Sequence, residues 1–152
     1  MDLDAHHPDF TGAWKLIRGE SEFGFLPPPR LRIDTIVHDA GTGALQIRTR
    51  QKDASGDVTV DRDVVIDGDP VAVAIRGRSR TVRAYWGSPA AELVIETASE
   101  VSGGTRRIED RWTLDPDGQW ITIHRLHELP GGPVRQRLRL RRITSGPASA
   151  AR

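Results

Sequence analysis

The chain has 152 residues, of which 37% are hydrophobic, and its 22 basic and 21 acidic side chains give a formal net charge of +1. This composition predicts one globular domain and argues against a nucleic-acid-binding protein, which would need an excess of basic residues on one face. The absence of cysteine excludes disulfides, thiolate catalysis and cysteine-ligated zinc.

The first residues of the chain do not have the pattern of a targeting or membrane segment. The segment from Met1 to Pro8 has neither a basic start nor an apolar run, unlike a signal peptide. No stretch approaches the roughly 18 apolar residues of a membrane span. We therefore expect a cytoplasmic protein with a flexible N-terminus over residues 1–9. The adjacent His6 and His7 give poor chelate geometry, and we expect no metal site.

Ten runs of alternating apolar and polar residues follow, and this period of two is typical of β-strands. The first run carries Gly12-Ala13-Trp14. In the second run the predicted inward face comprises Leu31, Ile33, Thr35 and Val37, and the predicted outward face comprises Arg32, Asp34 and His38. The remaining runs cover residues 45–50, 58–66, 71–75, 81–86, 92–101, 106–114, 120–126 and 134–143.

Short connections rich in glycine, aspartate and proline separate these runs. They predict antiparallel neighbours, because a parallel crossover needs a dozen residues or more. Trp14 near the start and Arg142 near the end can meet only if the sheet closes on itself. We therefore predict an all-β fold, an antiparallel up-and-down β-barrel of eight to ten strands over residues 10–143, followed by a disordered tail over residues 144–152.

One long irregular connection, from Arg18 to Pro29, interrupts the strand pattern. It contains Phe23, Phe25 and three consecutive prolines, which withhold hydrogen-bond donors from a sheet. At most one helical turn fits, at residues 19–23. This segment is the one best able to cover an open end of the barrel.

The first strand and a late hairpin carry a family resemblance. Gly12-x-Trp14 in a meander that ends in a basic strand resembles the lipocalin and fatty-acid-binding (calycin) barrels. The spacing is most similar to bacterial lipocalin-like domains, whose Gly-x-Trp-x-Leu matches Gly12 to Leu16. Their Trp-x-Leu-x-x-Asp-Gly is matched by residues 112–118. The usual long C-terminal helix and disulfide are absent, so the resemblance is to a minimal barrel, and it implies a small-molecule ligand without a cofactor.

Three residues are predicted to have a structural role. Trp14 should close one end of the barrel, with Gly12 beside it. Arg142 shares the inward phase of Leu138 and Leu140, so its guanidinium is the better candidate for a cation–π contact with the Trp14 ring.

Polar residues on the predicted inward faces suggest a hollow interior. A filled core would penalise each unpaired buried polar group by roughly 1–3 kcal/mol, whereas a wet cavity would not. These inward polar residues are Thr35, Thr49, Gln51, Arg62, Thr97, Ser99, Asp110 and Gln136. Tryptophans in the same barrel would suit a flat ligand or would simply fill space. The full set of candidate ligand-binding residues adds Phe23, Phe25, Trp86, Trp112 and His124 to these eight.

Asp110 needs a partner, because it lies between Ile108 and Trp112 on one face. A three-residue loop over residues 116–118 places it opposite His124 and creates an Asp–His dyad suited to acid–base catalysis. A four-residue loop is predicted to place it opposite Ile123 and near Arg125, which creates a buried ion pair or a carboxylate-binding arginine. Asp110, His124 and Arg125 are thus the candidate catalytic residues.

These features support three functional hypotheses. The first is a carrier or sensor that binds a small hydrophobic or amphipathic molecule in the barrel. The second is a cofactor-independent cyclase or isomerase that uses Asp110 and His124. The third is an interaction module that uses a basic strand face of Arg135, Arg137, Arg139 and Arg141. The sequence leaves the oligomeric state open.

Overall fold

The computed structural model describes residues 7–87, 91–101 and 104–143. Within them the chain forms an all-β, antiparallel, up-and-down and nearly closed barrel, which confirms the predicted fold class. The ten strands are β1 (Gly12–Leu16), β2 (Leu31–His38), β3 (Ala44–Asp53), β4 (Gly56–Val65), β5 (Val71–Ile75), β6 (Arg78–Trp86), β7 (Leu93–Val101), β8 (Gly104–Leu114), β9 (Trp120–Leu129) and β10 (Gly132–Arg142). One short 3-10 helix, Arg18–Glu20, lies between β1 and β2.

The first and last strands join the two halves of the sheet. The strand order is β4-β3-β2-β1-β10-β9-β8-β7-β6-β5, and Trp14 of β1 pairs with Arg142 of β10. Across the gap between the edge strands β4 and β5, an isolated bridge joins Ile66, the residue after β4, to Ala84 of β6. The Asp67 amide also donates to the Ala84 carbonyl at 2.8 Å. The barrel is therefore closed by hydrogen bonds on the β1–β10 side and left with a seam between β4 and β5.

The two ends of the barrel differ in character. The apolar core lies toward the end that carries the turns at residues 39–43 and 115–119, which we call the Trp14 end. Its largest fully buried side chains include Trp14, Trp112 and Phe10. The Trp14 indole donates to the Phe10 carbonyl at 3.0 Å, and the Phe10 ring meets Trp112 edge to face. Side chains fill this half of the interior.

The opposite end carries the turns at residues 54–55, 76–77 and 130–131, together with residues 18–30, the cover segment. Phe23 of this segment packs against the core. Glu22 exchanges two backbone hydrogen bonds with Arg137 of β10, and Gln136 donates its side-chain amide to the Phe23 carbonyl at 3.0 Å. The cover segment is thus fixed to β10, and this end is called the cover end.

β2 presents to the interior the face opposite to the predicted one. Asp34 is fully buried and His38 is buried, whereas Thr35 is exposed and Val37 is 54% exposed. The reason is register: Asp34 lies directly opposite Trp14, and cross-strand partners point to the same face of a sheet. The predictions that Thr35 faces the interior and that His38 faces outward are therefore wrong.

Two other predictions concern segments at the chain ends. The predicted disordered tail, residues 144–152, and residues 1–6 of the predicted flexible N-terminus lie outside the described residues. His7 packs its ring on Trp86, with 4.0 Å between ring centroids. In the described part of the chain, no helix has the length and apolar character needed to cross a membrane.

Candidate functional site

Polar side chains gather on the inner face of the barrel at the cover end. The antiparallel meander brings the starts of β2, β4, β6, β8 and β10 and the ends of β3, β7 and β9 to this end. The buried polar residues there are Arg32, Asp34, Thr49, Arg62, Thr97 and Asp110. Gln51, Ser99, Arg125, His127 and Gln136 are half-buried beside them. The interior is therefore apolar at one end and polar at the other.

Asp110 forms an ion pair with Arg125 rather than a dyad with His124. The two residues face each other across β8 and β9, and Arg125 donates through Nε at 2.8 Å and Nη2 at 3.0 Å. Burial alone would raise the pKa of Asp110, but the charge and hydrogen bonds of Arg125, with Arg32 and Arg62 nearby, hold it below its usual value. Asp110 is therefore an ionised carboxylate within the barrel.

The hairpin loop explains this pairing. Asp115 donates its amide to the Trp120 carbonyl, so residues 116–119 form a four-residue loop whose last member is Gln119. Compared with the three-residue loop over residues 116–118, this loop contains one more residue, Gln119. The partner of Asp110 therefore moves from His124 to Arg125, and not to Ile123 as predicted for a four-residue loop. His124 then lies opposite Arg111 and is exposed on the outer face. The predicted placement of His124 in the interior is wrong.

A second ion pair, missed by the sequence analysis, joins Arg32 and Asp34 of β2. Arg32 donates through Nη2 at 2.9 Å and Nε at 3.3 Å, and both residues are buried. Residues two apart on a strand share a face, so opposite charges at this spacing are a signal that sequence alone contains. The inverted phase assigned to β2 hid that signal.

Arg62 of β4 lies in the interior without a carboxylate of its own. Its Nη2 donates to Thr49 Oγ1 at 3.1 Å, and its buried Nε makes no hydrogen bond to any described residue. Burial lowers the pKa of Arg62, and the nearby charges of Asp34 and Asp110 oppose that shift. A guanidinium is always charged in proteins, so this site holds a poorly compensated cation.

Three further cationic or titratable groups that the sequence analysis missed lie nearby. The Nε atoms of Arg80 and Arg106 are buried and, within the described residues, make no hydrogen bond. Burial lowers the pKa of His127, and the charges of Arg125, Arg106 and Arg80 lower it further, against the opposing charge of Asp110. Positive charge therefore dominates around His127.

A cavity of about 160 Å³ lies between the cover segment and this polar face. Its apolar wall comprises Leu16, Phe23, Leu26, Pro27, Pro29 and Leu138. Its polar wall comprises Arg32, Gln51, Arg125, His127 and Gln136. Apolar side chains and hydrogen-bonding groups thus line the same small space.

The other candidate residues lie away from this cavity. Phe25 is 77% exposed and does not contact the interior, contrary to its predicted place in the site. Trp112 is buried in the core, and Trp86 packs beside His38 at the Trp14 end. Thr97 and Ser99 face inward from β7 without lining the cavity. Of the predicted ligand-binding residues, Phe23, Gln51 and Gln136 line the cavity, whereas Trp86 and Trp112 do not.

Arg142 and Trp14 close the far end of the barrel. The guanidinium carbon lies 4.3 Å from the centroid of the Trp14 ring. Arg142 also donates to the carbonyls of Gly118 at 2.9 Å and Thr11 at 3.1 Å. These contacts tie the first strand, the last strand and the β8–β9 loop together, on the opposite side of the core from the cavity.

Two larger concavities open on the outer surface around Val37. One of about 740 Å³ lies at the β4–β5 seam, and one of about 300 Å³ lies over β2, β3 and β4. Arg48 and Asp61, which line the smaller one, already pair with each other at 2.8 Å. We favour the cover-end cavity as the functional site, because several polar side chains of the barrel's inner face and apolar side chains of the cover segment converge on it.

Comparisons of the chain with protein-family models, with curated proteins and with solved structures found no match. The ten-stranded, nearly closed barrel is compatible with a lipocalin-like fold.

Proposed function

We propose that this protein binds a small amphipathic molecule in the cavity beneath the cover segment, as a carrier or sensor. The observation that carries this proposal is that apolar side chains of the cover segment and polar side chains of the barrel's inner face line one cavity of about 160 Å³. Ligand sites are characteristically apolar with a few convergent polar groups. The volume is below the ~300 Å³ of common small-molecule pockets, which favours a compact ligand or the head group of a longer one.

The cost of the polar face supports the same proposal. Buried polar and charged groups destabilise a fold unless partners compensate them, and a barrel can be filled with apolar residues alone. The Trp14 end of this chain is mainly apolar, with His38 as a buried polar residue, whereas the cover end holds six buried polar residues. A ligand that forms hydrogen bonds with these polar groups would explain why the cover end of the interior retains them.

The cover segment suits a binding role as well. Its prolines at positions 27 and 29 fix the backbone, and its anchors to β10 hold Phe23 in place. A preorganised wall lowers the entropy lost on binding. The enzymatic alternative is not retained, because its acid–base dyad required His124 inside the barrel and His124 is outside.

Two matched variants test the proposal. Leu26→Trp places a large ring in the cavity wall, whereas Phe25→Trp replaces a phenyl ring by an indole at the exposed neighbouring position. Titration calorimetry with 1-octanol and with octanoate should detect binding to the wild type and to Phe25→Trp. Leu26→Trp should weaken that binding by at least about tenfold, the effect of losing roughly 1.4 kcal/mol. Equal affinities in both variants, or no binding to the wild type, would reject the cavity as the site.

A further inference from the structure

We propose that the outer surface of the barrel carries a docking groove for a basic, partly apolar peptide segment of a partner protein. The two concavities on this surface share Val37, Gln46 and Asp63 and form one continuous depression, which we call the outer groove. It crosses β2, β3 and β4 and reaches Val71, the first residue of β5. The outer groove is separate from the cover-end cavity, so this proposal does not depend on the proposed ligand.

The outer groove exposes apolar side chains to solvent. Val37 and Val65 are each about half exposed, and both line the larger concavity. Apart from Phe25, they are the large hydrophobic side chains that are exposed in the described part of the chain. Apolar residues exposed singly are ordinary, whereas apolar surface gathered in one concavity indicates an interaction site.

The charged residues of the outer groove are mainly acidic. Asp39, Asp63 and Asp69 line its larger part, and the described residues there include no lysine or arginine. Among the described residues these three carboxylates form no salt bridge. In the smaller part, Asp61 is already paired with Arg48 at 2.8 Å. The outer groove therefore has uncompensated negative charge beside its apolar surface.

Carboxylates beside β7, on another part of the outer surface, obtain cations from the chain itself. Glu96 accepts a hydrogen bond from Arg83 at 2.9 Å, and Glu92 accepts one from Arg111 at 2.8 Å. Asp39, Asp63 and Asp69 differ from them in leaving their charge available to another molecule. Charge complementarity of this kind selects partners and speeds their association.

The acidic character of the outer groove determines the class of partner. A nucleic acid or an anionic membrane surface would be repelled by these carboxylates. A peptide segment in which lysine or arginine alternates with apolar residues satisfies both features of the groove. Its apolar side chains would cover Val37 and Val65, and its long, flexible cationic side chains would reach the aspartates.

The length of the outer groove fits a short extended segment. Neighbouring strands lie about 4.8 Å apart, so a groove that crosses from β2 to β5 is roughly 15 Å long. An extended chain advances about 3.3 Å per residue, so about four or five residues span the groove. A pentapeptide is therefore the appropriate probe.

NMR titrations of ¹⁵N-labelled protein with three blocked pentapeptides test the proposal. The probes alternate lysine with valine, lysine with serine, or glutamate with valine, and each begins and ends with the charged residue. We expect the lysine–valine peptide to cause saturable amide shifts around Val37, Asp63 and Gly68. Its affinity should be at least about tenfold higher than that of the other two, because one lacks apolar side chains and the other carries like charge. High salt should weaken its binding.

Two aspartates on the outer face of β4 give matched variants. Asp63 lines the outer groove, whereas Asp57 is exposed on the same face outside it. Asp63→Asn should lower the affinity for the lysine–valine peptide about threefold, the effect of losing one exposed ion pair, and Asp57→Asn should not change it.

Val37→Thr tests the apolar contact, because threonine keeps the β-branched shape and removes apolar surface. It should lower the affinity for the lysine–valine peptide about threefold and leave that for the lysine–serine peptide unchanged. The three substituted positions are exposed, so the melting temperatures of all these variants should stay close to that of the wild type.

Other occupants of the outer groove predict different results. If hexylamine binds there as tightly as the lysine–valine peptide, the groove is a site for a small cation and the proposal is wrong. If sedimentation shows a wild-type dimer that Asp63→Asn dissociates, the occupant is a second copy of this chain and the proposal is also wrong. Equal affinities for the lysine–valine and lysine–serine peptides, equal effects of Asp63→Asn and Asp57→Asn, or no shifts in the groove would overturn it as well.

Discussion

Asp110 and Arg125 form an ion pair inside the barrel through two parallel hydrogen bonds, Nε–Oδ1 at 2.8 Å and Nη2–Oδ2 at 3.0 Å. Asp110 is buried, so removing its charge leaves the guanidinium without a counterion. We expect Asp110→Asn to lower the free energy of unfolding by about 3 kcal/mol, the lower end of the range for broken buried pairs, because the Arg125 side chain is 22% exposed. Urea denaturation measures this change.

The surface pair of Arg48 and Asp61 provides the control for that prediction. Its Nε–Oδ1 distance is also 2.8 Å, but both side chains are largely exposed. Asp61→Asn should leave the denaturation midpoint nearly unchanged, since exposed pairs contribute little. Similar losses in the two variants would contradict the assignment of Asp110 to a buried pair.

Trp14 fills the end of the barrel that lies away from the cavity. It is fully buried, and its indole donates to the Phe10 carbonyl at 3.0 Å. We expect Trp14→Ala to cost about 3–5 kcal/mol of stability, as for other large core aromatics. Calorimetric titration of the folded variant with octanoate should give the wild-type affinity. A loss of octanoate affinity without a loss of stability would indicate a ligand site at the Trp14 end and would contradict its placement at the cover end.

Gly12 occupies a position that requires glycine. Its φ is +146°, and a Cβ atom built there would clash with Nη1 of Arg142, which two carbonyls and the Trp14 ring hold in place. Gly12→Ala should therefore destabilise the fold by about 1–3 kcal/mol. Gly131→Ala, where a Cβ meets nothing within 4 Å, should have little effect in the same thermal denaturation experiment. Equal melting temperatures for the two variants would contradict this account.

His38 makes stability depend on pH. Burial lowers the pKa of His38, against the opposing charge of Asp9, and the Nδ1 atom accepts the Phe10 amide at 3.4 Å. The folded protein therefore holds this proton less tightly than the unfolded chain does. Stability should be greatest above the unfolded pKa of about 6.5 and should fall as the pH drops through that value.

The variant His38→Asn isolates this effect, because it keeps an acceptor near the Phe10 amide and does not titrate. Denaturation midpoints between about pH 7.5 and about pH 5 should change less in this variant than in the wild type. Part of the dependence should remain, since burial also lowers the pKa of His127. An unchanged pH dependence would show that His38 is not the buried titrating group.

The sequence predicts the barrel well, because strand alternation and tight turns are local properties. The predicted phase of β8 is also correct, since Asp110 faces inward together with Trp112, a large apolar residue that identifies the interior face. The phase of β2 is harder to assign, because its interior face carries three polar residues beside a single apolar one, Ile36, whereas its outer face carries mostly apolar residues. Its phase is set by pairing with β1, which a strand considered alone does not reveal.

Two residues near the candidate site, His127 and Arg80, were missed because of where strands end. The predicted β9 run stops at Leu126, yet β9 continues to Leu129 through its ladder with β10, which places His127 inside. Arg80 precedes the predicted start of its run at Thr81, whereas β6 begins at Arg78. Charged residues at strand ends look like solvated turns in the sequence, and only the closed barrel turns them toward a common interior.

The central claim, that the ligand site is the cavity at the cover end, is tested most directly by an NMR titration of ¹⁵N-labelled protein with octyl phosphate. The side-chain amides of Gln51 and Gln136 line the cavity, and the indole N–H of Trp14 reports on the opposite end. We expect saturable shifts of both glutamine amides and an unmoved Trp14 indole signal. Saturable shifts confined to the outer face around Val37 and Asp63, or to the Trp14 end, would contradict the claim.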